Sequence, residues 1–340
     1  MKQASYRADS DGLALSAGVK TGAKTRMAGL VLAMVILGGL VAVGLLRRGN
    51  GPVQVPAKHG PAVAAAKPEM GIIIFQSRVD GFWQIFSLDL SSGTRTRLTR
   101  SAADDITPSV SPDGAWVLFQ SSRSGSADVW RMRADGTAAE QLTDAVYECF
   151  DPCWSASGSF ILYSSRRSGG QNIYALDLST RRERQLTDSF WRSILPAISA
   201  DGSAIAFARN KLGWDVYLMN ADGSGVKDLT AKGGNCRPDW SPDGKRIAFV
   251  SDVADGKGDV WTMDPDGGNK MRVTPGDDSY DYNPAWSPDG GWIVFETTKS
   301  SKRGPWSLAV IPAAGGTPVL LTLSGADDRF PDWAPGKAAR

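Results

Sequence analysis

Carboxylates in short runs are the side chains of this 340-residue chain best suited to chemistry. Asp104-Asp105, Asp277-Asp278 with Asp281, and Asp327-Asp328 fall at comparable points of a sequence that repeats itself. Aromatic and mixed polar groups take such points elsewhere: Tyr147, Glu148 and Asp151, then Phe190, Trp191 and Arg192, then Asn235 and Arg237, then Tyr280 and Tyr282, and Arg329. Two carboxyl groups facing each other at about 5–10 Å would suit glycan cleavage. The same groups beside aromatics would suit the grip of a peptide or polar ligand. Asp-Asp pairs near strand starts also serve merely to cap turns or to pair with a neighbouring Ser-x-Arg loop.

Other chemistries lack their residues. The single histidine, His59, stands in a Pro-, Gly- and Ala-containing stretch, which excludes a His-based triad. No Gly-x-Ser-x-Gly elbow and no phosphate-binding glycine loop is present. Cys149, Cys153 and Cys236 form no Cys-x-x-Cys and are too few for zinc. No Asp-x-Asp-x-Asp-Gly loop supports a cation site. The expectation is therefore no catalytic residue, no metal and no cofactor. An odd number of thiols leaves at least one unpaired; a Cys149–Cys153 bridge and small gap-filling residues are both compatible with the spacing.

The scaffold for these residues is announced by one phrase written six times. Pro238-Asp239-Trp240-Ser241-Pro242-Asp243-Gly244 and Pro284-Ala285-Trp286-Ser287-Pro288-Asp289-Gly290 are clean copies. Weaker copies begin at Pro108, Pro152 and Pro196, and Pro331-Asp332-Trp333-Ala334-Pro335 is truncated. Successive prolines lie 44, 44, 42, 46 and 47 residues apart, a period that indicates a propeller or solenoid. After each Ser-Pro-Asp-Gly turn comes an apolar β-branched and aromatic run such as Ile247-Ala248-Phe249-Val250. A second strand such as Asp259-Val260-Trp261 follows, then an Asp-Gly turn and a strand ending in Leu-Thr or Val-Thr. That makes four short antiparallel strands per repeat, one propeller blade. The first unit, from Ile72, lacks the Pro-x-Trp-Ser strand, and the last, Phe330 to Pro335, supplies only that strand. Joining them gives an all-β, six-bladed propeller over residues 70–336, closed by its C-terminal strand and preceded by one transmembrane helix.

The phrase Pro-x-Trp-Ser-Pro-Asp-Gly, followed by Ile-Ala-Phe, Asp-Val-Trp, Asp-Gly and Leu-Thr, resembles the repeat of TolB-type β-propellers of bacterial envelopes. The resemblance covers about residues 70 to 336 and implies the family's propeller. The family's namesake carries a globular α/β domain ahead of its propeller, for which the preceding residues here leave no room. Many proteins of different roles share the repeat, so it implies a fold more than an activity.

Ahead of the propeller, Met27 to Leu46 is twenty residues without charge or proline, bracketed by Lys24 and Arg26 and by Arg47-Arg48. Twenty helical residues rise about 30 Å, enough for a bilayer core. The run exceeds the h-region of a cleaved signal peptide and leads at once into two arginines. It is expected to be an uncleaved single-pass anchor, with residues 1–26 a short cytoplasmic tail, 47–69 a flexible linker and 337–340 a tail. The envelope location of the family, more than the flanking charge, puts the anchor in the inner membrane and the propeller in the periplasm. Residues 1–48 carry a net charge of +5 and the linker +1, leaving −4 for the remainder, so nucleic-acid binding is not expected.

The carboxylate and aromatic connections lead into the innermost strand of each blade and should meet at the mouth of the central channel. Loops between second and third strands share that face and bring bases, among them Arg78, Arg123, Arg166, Arg167, Arg209, Lys211, Lys257, Lys299, Lys302 and Arg303. The expected surface is an acidic and aromatic centre ringed by positive charge. The repeat tryptophans Trp154, Trp240, Trp286 and Trp333 are expected to pack between blades. The function expected is non-catalytic binding of an envelope protein or peptide at the mouth. The alternative is a carboxylate-dependent enzyme acting on glycans.

Overall fold

A computed structural model of the chain describes residues 68, 71–144, 146–299, 302–322 and 327–335. The expected membrane span at 27–46, the N-terminal tail, the C-terminal tail and all of the linker but Pro68 lie outside the described residues. Among the described residues no helix is long and apolar enough to cross a membrane.

Those residues form six four-stranded antiparallel sheets. Blade 1 contains β1 (Ile72–Val79), β2 (Phe82–Asp89) and β3 (Arg95–Arg97). Blade 2 is β4 (Asp105–Val110), β5 (Trp116–Ser121), β6 (Asp128–Arg133) and β7 (Glu140–Gln141). Blade 3 is β8 (Cys149–Trp154), β9 (Phe160–Ser165), β10 (Asn172–Asp177) and β11 (Glu183–Gln185). Blade 4 is β12 (Arg192–Ile198), β13 (Ala204–Asn210), β14 (Trp214–Asn220) and β15 (Lys227–Asp228). Blade 5 is β16 (Asn235–Trp240), β17 (Ile247–Ser251), β18 (Asp259–Met263) and β19 (Met271–Arg272). Blade 6 is β20 (Tyr280–Trp286), β21 (Trp292–Thr298), β22 (Ser307–Pro312) and β23 (Val319–Leu320). The last strand, β24 (Asp328–Ala334), returns to blade 1 and pairs with β1 from Ile72↔Ala334 to Ser77↔Asp328. The ring thus closes as its repeat pattern requires, β24 covering the inner edge of β1 so that all six blades have four strands.

Each word of the repeat has a physical task. In the Ser-Pro-Asp-Gly turns, the serine hydroxyl donates to the aspartate two residues on, at 2.6 Å for Ser111 to Asp113 and 2.7 Å for Ser241 to Asp243. The threonine closing each blade accepts a hydrogen bond from a third-strand amide. The distance is 2.9 Å from Ile85 to Thr99, and the bond recurs at Thr143, Thr187, Thr230, Thr274 and Thr322. Five of these hydroxyls donate in turn to the residue that opens the Asp-Val-Trp strand or its equivalent, as Thr230 does to Asp215 at 2.7 Å. The Asp-Gly turns meet the preceding blade so closely that a Cβ on Gly223 would lie 2.4 Å from the Leu186 carbonyl oxygen. Asp-Val-Trp and Leu-Thr are therefore two halves of one buried hydrogen-bonded joint.

The core lies between blades. Trp154 packs with Leu118, Val129 and Leu142 of the blade before it, and Trp333 joins Val294, Leu308 and Val310 of blade 6 to Ile73 and Phe75 of blade 1. The indole N–H groups of Trp154 and Trp240 reach back to the Ser109 and Ala197 carbonyls, each at 3.1 Å. The repeat tryptophans are thus packing residues, as expected. All three cysteines are free, Cys149 buried and Cys153 and Cys236 half-buried, so no Cys149–Cys153 bridge forms.

Candidate functional site at the channel mouth

Every innermost strand breaks step at the same place. The register shifts just ahead of each repeat proline, and the residue before it takes a left-handed conformation. These residues are Thr107, Asp151, Leu195, Arg237, Asn283 and Phe330, with φ between 50° and 57°. A bulge of this kind re-aims its side chain. Arg237 shows the direction: from blade 5 it donates to Asn283 Oδ1 of blade 6 and lies 5.0 Å from the Phe330 ring, two blades away. The six side chains therefore converge on the axis. Apart from Asp151 and Arg237, this ring was not anticipated. Its signal was available: a fixed offset from an invariant proline at which residue type varies freely.

Side chains around the axis also staple neighbouring blades. The Thr107 N–H donates to Gln76 Oε1 at 2.8 Å, and the Phe330 N–H to Glu296 Oε2 at 2.8 Å. One residue past the proline, Asp332 accepts from the Val110 N–H at 2.6 Å and Asp239 from the Trp286 N–H at 2.8 Å. Burial lifts the Asp239 carboxyl to about 7, with the Asp332 charge adding to the effect. Burial likewise lifts Asp332 to about 6, and Asp151 to about 6 against the pull of Arg237. The Cys153 thiol, also desolvated and near both Asp239 and Asp332, is pushed up to about 12. The interior of the channel is thus a set of poorly solvated acids already bonded to backbone amides.

The residues expected at the mouth divide into two groups. Asp105, Asp281 and Asp328 occupy one equivalent position, three before the proline, and are buried inside their blades. Asp105 pairs with Arg123 at 2.7 Å and Asp328 with Arg95 at 3.0 Å, while Asp281 accepts from Thr297 Oγ1 at 2.6 Å. Burial raises the Asp281 carboxyl to about 6. These three join the innermost strand to the rest of the blade, and the Asp105–Arg123 pair is the Ser-x-Arg pairing that the sequence offered. Arg329 is also buried, bonded to Asp327 at 2.9 Å and held between the rings of Trp83 and Trp306. Tyr282 meets Trp306 edge-on at 5.6 Å.

The second group is accessible. Asp277, Asp278, Tyr147, Trp191 and Arg192 are exposed, and Asp104, Glu148, Arg237, Tyr280 and Asp327 are half-buried. Asp278 pairs with Lys257 at 2.6 Å and Glu148 with Arg166 at 2.6 Å. The expected peripheral ring of positive charge is incomplete. Arg123, Arg167 and Arg209 turn onto the aromatic pairs of their own blades, Arg123 lying 5.2 Å from Phe119 and 4.9 Å from Trp130. Aromatic faces attract a guanidinium more strongly when both are desolvated, which explains the inward turn.

The same face gathers apolar surface. Ten large hydrophobic side chains are exposed among the described residues. Seven of them stand at the mouth, Phe82 at the start of β2 and Val146, Tyr147, Phe190, Trp191, Leu212 and Val253 on loops. On the opposite face a cleft of about 290 Å³ opens between blades 5 and 6, lined in part by Asp243, Arg246 and Trp286. Arg246 is engaged there with Asp264 at 2.6 Å and Asp243 with Ser241, while the buried Trp286 indole N–H has no partner among the described residues.

Comparison with known proteins agrees with this architecture. A family model described as the TolB beta propeller domain matches residues 53–193 and 191–339. An uncharacterized protein of Agrobacterium fabrum is 31% identical over 120 residues, covering 35% of this chain and 39% of the relative. The Tol-Pal system protein TolB of Rhizorhabdus wittichii is 44% identical over 78 residues, covering 22% of this chain and 17% of the relative. The chain thus matches well under two thirds of these relatives' lengths. The crystal structure of TolB from Acinetobacter baumannii superposes with a TM-score of 0.68 at 24% identity, over 78% of this chain and 67% of that one. An oligogalacturonate lyase in complex with manganese shares the fold at a TM-score of 0.53 and 18% identity, over 73% of each chain. With the family model matched across every blade, the chain belongs to the TolB beta propeller domain family.

Proposed function

We propose that the protein is a membrane-anchored, non-catalytic TolB-like propeller that binds a protein or peptide of the cell envelope through its channel-mouth face. The observation that carries this reading is the gathering of seven of the ten exposed large hydrophobic side chains on that face. Apolar surface concentrated around aromatic and charged anchors is what a docking face needs. The Tol-Pal relatives support an envelope role, and residues 27–46 supply the proposed inner-membrane anchor, with the propeller in the periplasm.

A glycan-acting enzyme is the second reading, favoured by the channel carboxyls held near 6 and 7, where an acid could work. Against it, Asp239 and Asp332 already accept backbone amides of the next blade and so serve the ring.

The test is recovery of cross-linked partners from envelope extracts. A variant with Tyr147, Trp191, Asp277, Asp278 and Tyr280 changed to Ala is expected to recover at least tenfold less partner than the native chain. A variant changed only at Asp243 and Lys245, on the opposite face, should recover as much as the native chain. Equal recovery by the mouth variant and the native chain would remove the proposal. Turnover of oligogalacturonate to unsaturated products by the purified chain would replace it with the enzymatic reading.

A further inference from the structure

We infer that the blade 3 and blade 4 side of the mouth is the anchor point, and that it takes a peptide segment carrying acidic residues among aromatic and aliphatic ones. The inference rests on the mouth being the docking face and says which part binds what. Three large apolar side chains there are almost wholly bare: Val146 at 93% exposure, Phe190 at 89% and Leu212 at 93%. Phe190 and Trp191 meet edge-on at 5.9 Å, presenting two aromatic faces from one loop.

These tips belong to one contiguous arc. The Glu148–Arg166 ion pair ties the loop carrying Tyr147 to the loop after β9. That loop touches the next connection, since a Cβ on Gly170 would lie 2.8 Å from the Ser189 carbonyl oxygen. Arg192, beside Trp191, lies 5.2 Å from the Trp214 ring of blade 4. Gly213 approaches Gly233 so closely that a Cβ on it would be 3.0 Å from the Gly233 Cα, which brings the Lys211 and Lys232 loops together.

Charge decides the chemistry of the occupant. Lys211 and Lys232 form no ion pair among the described residues, and Arg192 is exposed at the arc's edge. Across the mouth, two acids of the blade 5 side are matched: Asp255 pairs with Arg272 at 2.8 Å and Asp278 with Lys257 at 2.6 Å. Lys211 and Lys232, without ion pairs among the described residues, therefore stand close to the bare Leu212 tip. A partner segment that buries the tips gains most if its own acids reach Lys211 and Lys232. Complementary charge of this kind fixes orientation and speeds encounter.

The test pans a phage-displayed library of random twelve-residue peptides on the full chain in detergent micelles. Recovered sequences should combine Asp or Glu with Phe, Trp or Leu. Their affinity should fall at least tenfold for Phe190→Ser/Trp191→Ser/Leu212→Ser and change less than threefold for Asp277→Ala/Asp278→Ala/Tyr280→Ala. Because every altered residue is at least partly exposed, equal melting temperatures will certify folding. Lys211→Glu/Lys232→Glu should reject the acidic peptides and accept their Lys-substituted versions. Loss at the blade 5 and 6 variant alone would overturn the inference yet leave the mouth as the docking face. Indifference to both variants would overturn both. Peptides without acids, or a fluorophore at position 190 reporting a lipid environment in phosphatidylglycerol nanodiscs with no peptide recovered, would also overturn it, the latter in favour of a bilayer.

Discussion

A chain ending at Asp327 is expected to lose cooperative thermal unfolding altogether. The truncation removes β24, and with it the whole inner edge of blade 1 from Ile72 to Ser77. Trp333 leaves the cluster that joins blades 6 and 1. Asp328 no longer neutralises Arg95, and Asp332 no longer accepts the Val110 N–H. Loss of a core tryptophan alone costs about 3–5 kcal/mol. Together with an opened sheet edge this approaches the 5–15 kcal/mol that holds a typical domain. Gly71 shows how tightly the tail is seated, since a Cβ there would lie 2.6 Å from the Trp333 indole nitrogen. Differential scanning calorimetry should show a broad transition or none, whereas Trp333→Ala should retain a single transition at lower temperature. An unchanged melting profile for the truncated chain would refute the closed ring.

Asp239→Asn should raise the melting temperature at pH 8 by several degrees and leave it nearly unchanged at pH 4. An ordinary aspartate has a pKa near 4 when unfolded, and burial holds Asp239 near 7 in the ring. Between those values the native state binds more protons than the unfolded one. Stability therefore falls as pH rises through that window, and the full penalty applies above pH 7. Asn keeps an oxygen to accept the Trp286 N–H and carries no charge, so it relieves about 2 kcal/mol of desolvation penalty. Asp332→Asn should act in the same direction over a window ending near 6. Because each charge disfavours the other, the double variant should gain less than the sum of the two. Melting curves from pH 4 to 8 test this; a native protein that grows more stable across that range would contradict the electrostatics.

The repeat was legible because its residues answer to local geometry. Ser-Pro-Asp-Gly needs only its own turn, and the Asp-Val-Trp and Leu-Thr signals meet within one blade, so spacing alone revealed strand order and ring closure. The mouth was less legible. Asp105 and Asp328 look from sequence like exposed acids at a strand start, yet Arg123 and Arg95 reach back to them inside the blade. Arg167 and Arg209 look like surface bases, yet they lie over their own blades' aromatic rings. Both outcomes depend on three-dimensional neighbours that no linear motif records. The axial ring of Thr107, Asp151, Leu195, Arg237, Asn283 and Phe330 was hidden differently. Its common property is a left-handed backbone imposed by the bulge, which residues as unlike as Leu and Asp share.

The docking face can be located directly by photo-cross-linking in intact cells. Benzoylphenylalanine would be placed at position 190 on the mouth and at position 226, exposed on the hairpin between β14 and β15 at the opposite face. The mouth position should yield a discrete cross-linked protein band and position 226 none. A band from position 226, with position 190 silent, would contradict the account.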